Sequence, residues 1–332
     1  MLVSIICGVY NAEKHIEKLM DSLVNQTYEQ VEIILVVNAT HDNTMVILQR
    51  YSDIYEHIHV YETPEKLGPG GARAKGVAYA KGDYIAIVDC DDYVSPDYIK
   101  NMVDILNGKV FYDVIISGFK RVDEDGQVKY VRRFNNIESA LCQSVAPWAK
   151  LYSSAFLRRN DIVFRNIPFG EDILFTAEIS LAKPKILGVD SSDYYWVERL
   201  QSTSHTEIRG FPETNCKLAI QYLNDMIEKY NPDKSALFYH IYKYFVWYLL
   251  HSGRNVRAKR MLKEYDKICH YLNVICPKWW KRNIMTIWQH REERNIVRVV
   301  LVFMLILRKI KLDKMFLSLY SVLPLERIWP SL

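Results

Sequence analysis

Several features are scarce or missing in this sequence. Its six cysteines, Cys7, Cys90, Cys142, Cys216, Cys269 and Cys276, include no CxxC pair. That spacing excludes a zinc ribbon and argues against a disulfide framework. The start, Met1-Leu2-Val3-Ser4-Ile5-Ile6, lacks a basic n-region and turns polar by Asn11, so it does not read as a secretory signal. The expected compartment is therefore a reducing cytoplasm. The apolar run Val299 to Leu307 stops at nine residues between Arg298 and Arg308, well short of the ~20 that a membrane span needs. No internal repeat or low-complexity tract is present. Nothing matches a helix-turn-helix, an RNA-recognition module or a zinc finger, so no nucleic-acid partner is expected.

What is present describes a folded chain. Of 332 residues, 49% are hydrophobic and 25% charged, enough for a large core and one or two domains. There are 23 tyrosines, which suit sugar or membrane-interface contacts and also ordinary cores. The net charge of +4 is unevenly spread: residues 253–332 carry 17 Lys+Arg against 6 Asp+Glu, leaving the rest of the chain at −7. A basic tail points to an anionic partner. Trp279, Trp280, Trp288 and Trp329 lie near Lys309, Lys311 and Lys314, the mixture an interfacial segment needs on anionic lipid. Residues 296–314 therefore read either as a membrane-contact helix or as a core helix, and peripheral attachment at the cytoplasmic face is the expectation.

Apolar strands alternate with helical patterns through the first half. Leu2 to Val9, Val31 to Val37, Ile58 to Tyr61 and Tyr84 to Asp89 read as parallel strands. Helices follow them, with Asn11 and Asp42 as candidate caps. Gly68-Pro69-Gly70-Gly71 reads as a flexible turn before a helix from about Ala72 to Lys81. This βα alternation predicts an α/β fold with a mostly parallel central sheet and helices on both faces. From about Phe211 onward only helical periodicity remains. The expected division is a domain over 1–208 and a helical, basic region over 209–332.

One stretch organises the chain. Tyr84-Ile85-Ala86-Ile87-Val88 runs directly into Asp89-Cys90-Asp91-Asp92, three carboxylates within four positions. Clustered like charges repel and desolvate badly. A hard divalent cation, Mg²⁺ or Mn²⁺, with bound phosphates would relieve them. Open α/β sheets bind ligands at this edge.

With these elements placed, the chain resembles a family 2 glycosyltransferase of the GT-A fold, over roughly residues 1–205. Five segments carry the likeness in order. They are Val3 to Asn11, Glu32 to Thr44, Leu67 to Gly76, Asp89-Cys90-Asp91-Asp92, and Phe169-Gly170-Glu171-Asp172. A Trp148-Ala149-Lys150-Leu151-Tyr152 segment and a weaker Tyr194-Tyr195-Trp196 ending with His205 accompany them.

The resemblance implies an inverting, metal-dependent transfer from a nucleotide sugar, most naturally a UDP-sugar, to a glycan hydroxyl. The acceptor would be polyprenyl-diphosphate-linked, in capsule, exopolysaccharide or O-antigen synthesis. Val9, Tyr10 and Asn11 would line the nucleotide pocket. Asn38 replaces an aspartate that accepts from the uracil imide, and its carbonyl can accept the same bond. Arg73 and Lys75 would contact nucleotide or pyrophosphate. Asp89 and Asp91 would face the nucleotide, with Asp91 and Asp92 as metal ligands. Trp148 would stack on a sugar, Lys150 reach a sugar hydroxyl or a phosphate, and His205 the pyrophosphate or metal. Asp172 would be the general base, with Glu171 orienting it or binding acceptor. A non-catalytic subunit of this fold and a nucleic-acid-binding protein are the competing readings.

Overall fold

The computed structural model describes residues 1–106, 111–134, 140–141, 144–199, 210–232, 234–288 and 294–322. The chain divides into two compact units. The first is Met1–Asn166 with Phe175–Leu200; the second is Ile167–Leu174 with Gln201–Leu332. The expected boundary at 208/209 lies outside the described residues.

The first unit is built on one mixed sheet. Its strands are β1 (Val3–Val9), β2 (Val31–Asn38), β3 (Ile58–Thr63), β4 (Tyr84–Ile87), β5 (Tyr93–Val94), β6 (Val114–Val122), β7 (Val128–Arg132), β8 (Lys150–Ser153) and β9 (Ile186–Val197). They lie in the order β3-β2-β1-β4-β8-β6-β9-β5, with β7 beside β6. β1 to β4 pair in parallel, as their continuous apolar runs predict. β8 runs antiparallel to both β4 and β6.

Alternate residues feed two cores. Val3, Ile5, Cys7 and Val9 of β1 pack on one face with Ile33, Leu35 and Val37 of β2. Ile6, Ile34 and Val36 pack on the other. One acid lies inside β2: Glu32 is buried and accepts from Ser4 Oγ (2.5 Å) and from the amides of Lys81 (2.7 Å) and Gly82 (3.1 Å). These bonds satisfy the carboxylate and tie down the entry to β4.

Helices α1 (Ile16–Val24), α2 (Thr44–Ile54) and α3 (Gly68–Tyr79) connect these strands. α1 buries Ile16, Leu19, Met20 and Leu23, the stripe its spacing predicts. Two local expectations need correcting. Gly68 to Gly71 is the first turn of α3, where Pro69 fits because its preset φ and missing N–H cost nothing there. Asn11 does not cap α1, which starts five residues later; it adopts φ +45° and serves the site instead. Further on lie α4 (Tyr98–Asp104), α5 (Ser154–Arg159) and α6 (Glu171–Leu181). Gly76 lets α3 approach β1, since a Cβ there would sit 2.3 Å from Ile6 Cγ2.

The second unit is helical: α7 (Asn215–Tyr230), α8 (Lys234–Ser252), α9 (Ala258–Ile275), a 3-10 turn (Trp279–Lys281), α10 (Met285–Trp288), α11 (Asn295–Lys309) and α12 (Asp313–Val322). Many of the tyrosines go into this core. Tyr244, Tyr248 and Tyr265 are buried rings whose hydroxyls donate to Phe169 O, Glu264 Oε1 and Asp313 Oδ2. An apolar body with one satisfied polar tip suits a helical core that still needs defined partners. Among the described residues, no helix is long and apolar enough to cross a membrane.

Candidate active site

The carboxyl ends of β1, β2 and β4 converge at one edge of the sheet, and two loops there are laced together. Asn11 Oδ1 accepts from the His41 amide at 3.0 Å. Asp42 accepts from the amides of Glu13 (3.1 Å) and Thr44 (3.1 Å), so it serves the start of α2 and the Asn11 loop at once. Burial pushes the Asp42 pKa up, but hydrogen bonds from Thr44, Glu13 and Thr40 outweigh this and bring it down. Val9 is buried beneath the loop. The Tyr10 ring is half-buried, with Lys66 Nζ 4.3 Å from its centroid. Asn38 is buried and its Oδ1 accepts from the Leu67 amide at 2.6 Å. The oxygen expected to read a base thus fixes the segment leading into α3.

β4 ends at Ile87, and the three carboxylates beyond it occupy three different environments. Asp89 is ion-paired with Arg73 at 2.7 Å. Asp92 is buried; Tyr194 Oη donates to Oδ2 (2.6 Å) and the Val197 amide to Oδ1 (2.8 Å). Burial, with Asp91 and Asp89 nearby, holds its pKa well above the usual carboxylate range. The same Tyr194 oxygen accepts from the Asp89 amide (3.2 Å), so one hydroxyl fastens β9 to the acidic turn. Asp91 differs: its side chain is 39% exposed and faces Arg199 at 3.3 Å. Burial and Asp89 raise its pKa, while Arg199 and Arg73 oppose them.

Arg199 is the residue that the sequence did not reveal. Its side chain is 11% exposed, and among the described residues Nε and Nη1 make no hydrogen bond, Nη1 facing Asp91 as an ion pair. No motif marks it. The antiparallel pairing of Tyr93 with Tyr195 and Val94 with Tyr194 brings the end of β9 beside the acidic turn, and that pairing spans about a hundred residues of chain.

Two expected sugar contacts are interior groups. Trp148 is buried, with Tyr194 stacked on it at 4.6 Å and 5° and Phe119 edge-on at 4.8 Å. Its ring face is filled by protein and cannot take a sugar. Lys150 is wholly buried, and its ammonium donates to Ser144 O (3.1 Å), Ser144 Oγ (3.2 Å) and Ala146 O (2.6 Å). It organises the 144–148 loop and does not reach a phosphate. Lys75 lies two positions after Arg73, about 200° around α3, so the two cations point apart. His205 lies outside the described residues.

Glu171 and Asp172 open α6 and belong to the second unit, whereas the acidic turn belongs to the first. Glu171 is buried and Asp172 half-buried, with Asp172 Oδ1 accepting from the Ile173 amide at 2.8 Å. The backbone just before them is clamped. Phe169 donates its N–H to Asn215 Oδ1 (2.7 Å), and its carbonyl accepts from Tyr244 Oη (3.0 Å). Asn215 Nδ2 closes the ring onto Tyr244 Oη at 3.2 Å. Gly170 adopts φ +75°, and a Cβ there would stand 2.7 Å from Tyr244 Cε2. Only glycine makes this turn without strain.

The donor set fits a cation in one way. Among the described residues, no group of three His, Cys, Asp or Glu is placed to hold a metal unaided. Mg²⁺ and Mn²⁺ commonly take one or two carboxylates and complete their shell with substrate phosphate oxygens and water. Asp91, the most open carboxylate of the turn, suits such a shared site.

Comparison with known proteins supports this architecture. The sequence model of glycosyl transferase family 2 matches residues 4–172. A poly(ribitol-phosphate) beta-glucosyltransferase of Bacillus spizizenii is 31% identical over 224 residues, 65% of this chain and 35% of that protein. The poly(ribitol-phosphate) beta-N-acetylglucosaminyltransferase TarS of Staphylococcus aureus is 27% identical over 247 residues, 70% of this chain and 43% of that protein. The chain thus spans about two fifths of the length of these relatives. Among solved structures, S. aureus TarS 1-349 in complex with UDP-GlcNAc superposes with a TM-score of 0.67 at 21% identity, covering 97% of this chain and 90% of that one. The same fragment with UDP gives 0.66 at 19%, covering 96% and 90%. The GT-A fold expected from the motifs is the fold observed.

Proposed function

This chain belongs to glycosyl transferase family 2, and from that premise we propose how its residues divide the work. The enzyme moves a sugar from a UDP-sugar to a hydroxyl of a glycan acceptor, with inversion at the anomeric carbon. One observation carries the assignment: Asp91, partly exposed at the carboxyl edge of the parallel strands, stands 3.3 Å from Arg199 and beside the Asp89–Arg73 pair. A carboxylate flanked by guanidinium groups suits a diphosphate. Asp91 is the residue assigned to Mg²⁺ or Mn²⁺, which when bound offsets charge on the departing diphosphate. Asp92, with both oxygens engaged by β9, holds the turn in shape.

Asp172 takes the proton from the acceptor hydroxyl. The freed oxygen pair forms the new bond to the anomeric carbon as the carbon–phosphate oxygen bond breaks. The electron pair leaves with the diphosphate beside Arg73 and Arg199. Glu171 orients the base.

The TarS structures in complex with UDP and UDP-GlcNAc support a uridine donor. The relatives' names favour a bacterial surface polymer as product. Capsule, exopolysaccharide and O-antigen are members of that class, and a polyprenyl-diphosphate-linked acceptor fits it. The basic region 253–332 supports a place at the cytoplasmic face of an anionic membrane.

A thermal-shift panel of nucleotide sugars with and without Mn²⁺ tests this reading. A UDP-sugar should give the largest rise in Tm, larger with Mn²⁺, and turnover should release free UDP. No shift with any nucleotide sugar, or release of pyrophosphate, would overturn it.

A further inference from the structure

Helices α11 and α12 each carry two apolar faces. On α11, Val297, Leu301 and Met304 are buried within the helical unit. A second stripe, Ile296, Val299, Phe303 and Ile306, recurs at alternating steps of three and four, and each member is exposed. On α12, Met315 and Leu319 repeat the pattern. These six side chains are 38–56% exposed. The two helices meet beside these stripes, where the Phe303 ring packs edge to face on Phe316, the neighbour of Met315, at 5.3 Å. Single exposed apolar residues are ordinary, but a continuous ridge marks a docking surface.

Charge selects the occupant. Residues 294–322 contain six cations and one acid, Asp313. Asp313 is buried, with Arg308 Nη1 at 3.0 Å and Tyr265 Oη at 2.6 Å on its Oδ2. Lys314 pairs with Asp266 of α9. Lys309 and Lys311 are exposed between the two helices, and Arg298 lies over the half-exposed Trp288 ring at 4.9 Å. A second copy docked on this ridge would bring its own cations against these, with no acid on the ridge to answer them. An anionic lipid surface answers both features: acyl chains receive the stripe and head groups receive the cations.

We propose that the joined outer faces of α11 and α12 lie on an anionic bilayer, apolar stripe down. This rests on the membrane-surface reading given above and names the residues that make it. The test is flotation of the full chain with phosphatidylglycerol or phosphatidylcholine vesicles. Wild-type protein should float with the first and remain behind with the second. The triple variant Phe303→Ser, Met315→Ser, Leu319→Ser should partition at least tenfold less, and Lys309→Glu with Lys311→Glu should lose most of its preference for the anionic vesicle. In a separate measurement, Phe303→Trp should be quenched by brominated phosphatidylglycerol. Flotation of every variant at the wild-type level, without quenching, would remove this face while leaving membrane attachment intact. No flotation of the wild type would remove both. Concentration-dependent self-association abolished by the triple variant, without lipid binding, would assign the ridge to a second copy.

Discussion

The two carboxylate centres are held by different physics. The acidic turn Asp89–Asp92 is held by charge: Arg73 on Asp89, Arg199 on Asp91, and the Tyr194 hydroxyl on Asp92. Just before α6, two neutral side chains act on backbone: Asn215 and Tyr244 clamp Phe169. A centre that must receive a diphosphate gains from cations poised to trade a carboxylate for a phosphate. A centre proposed to accept a proton gains from a fixed backbone that sets where its carboxylate stands. The difference also assigns responsibility: the sheet unit shapes the first centre, and the helical unit shapes the second.

Substitutions can break this comparison. The largest effect is expected at Asp172→Asn, with turnover falling about 10²- to 10⁴-fold, the range for losing a general base. Steady-state UDP release measures it, and near-normal turnover would remove Asp172 from the role. Next comes Gly170→Ala. A side chain forced into φ +75° and against Tyr244 should cost about 1–3 kcal/mol and disturb α6's first turn. Denaturant unfolding together with kcat would show both losses; an unchanged melting curve would mean that the turn relaxes freely.

Tyr244→Phe is the finer probe of the neutral clamp. It leaves the Phe169 carbonyl without its donor, at about 1–3 kcal/mol. It should lower kcat several-fold with little change in donor KM, whereas a purely structural hydroxyl would move stability alone. Lys150→Met sharpens the other side of the comparison. The ammonium serves carbonyls of the 144–148 loop, so stability should fall by about 1–3 kcal/mol while kcat per folded molecule holds. A selective rise in donor KM would restore Lys150 to the ligand. The smallest effect is expected for Asn38→Asp. The carboxylate still accepts from the Leu67 amide, so donor affinity should change less than about threefold, within about 0.7 kcal/mol.

The parts legible in the sequence were the local ones. Strand β2 announces itself as a continuous apolar run, and the acidic turn follows the last apolar residue of its strand, so period and composition suffice. Glu171-Asp172 could be read as a helix start for the same reason. Arg199 could not, because its place depends on pairing between β5 and β9, distant in sequence. Trp148 and Lys150 misled because an indole and an ammonium ordinarily keep one polar end wet. Here Tyr194 covers the one and loop carbonyls saturate the other. Asn215 and Tyr244 were silent, since nothing in a helical periodicity says which buried polar groups reach a backbone two elements away. The C-terminal run 299–307 read as either core or membrane contact; α11 buries one apolar face and exposes another, a split that its short apolar run does not announce.

The division of labour between the centres is tested most directly by a donor-binding isotherm. UDP-sugar is titrated in the presence of Mn²⁺ into Asp172→Asn and, in parallel, Asp91→Asn. The Asp172→Asn isotherm should superpose on the wild type, and Asp91→Asn should bind at least tenfold more weakly and lose its Mn²⁺ dependence. Equal weakening in both variants, or undiminished Mn²⁺-dependent binding by Asp91→Asn, would contradict it.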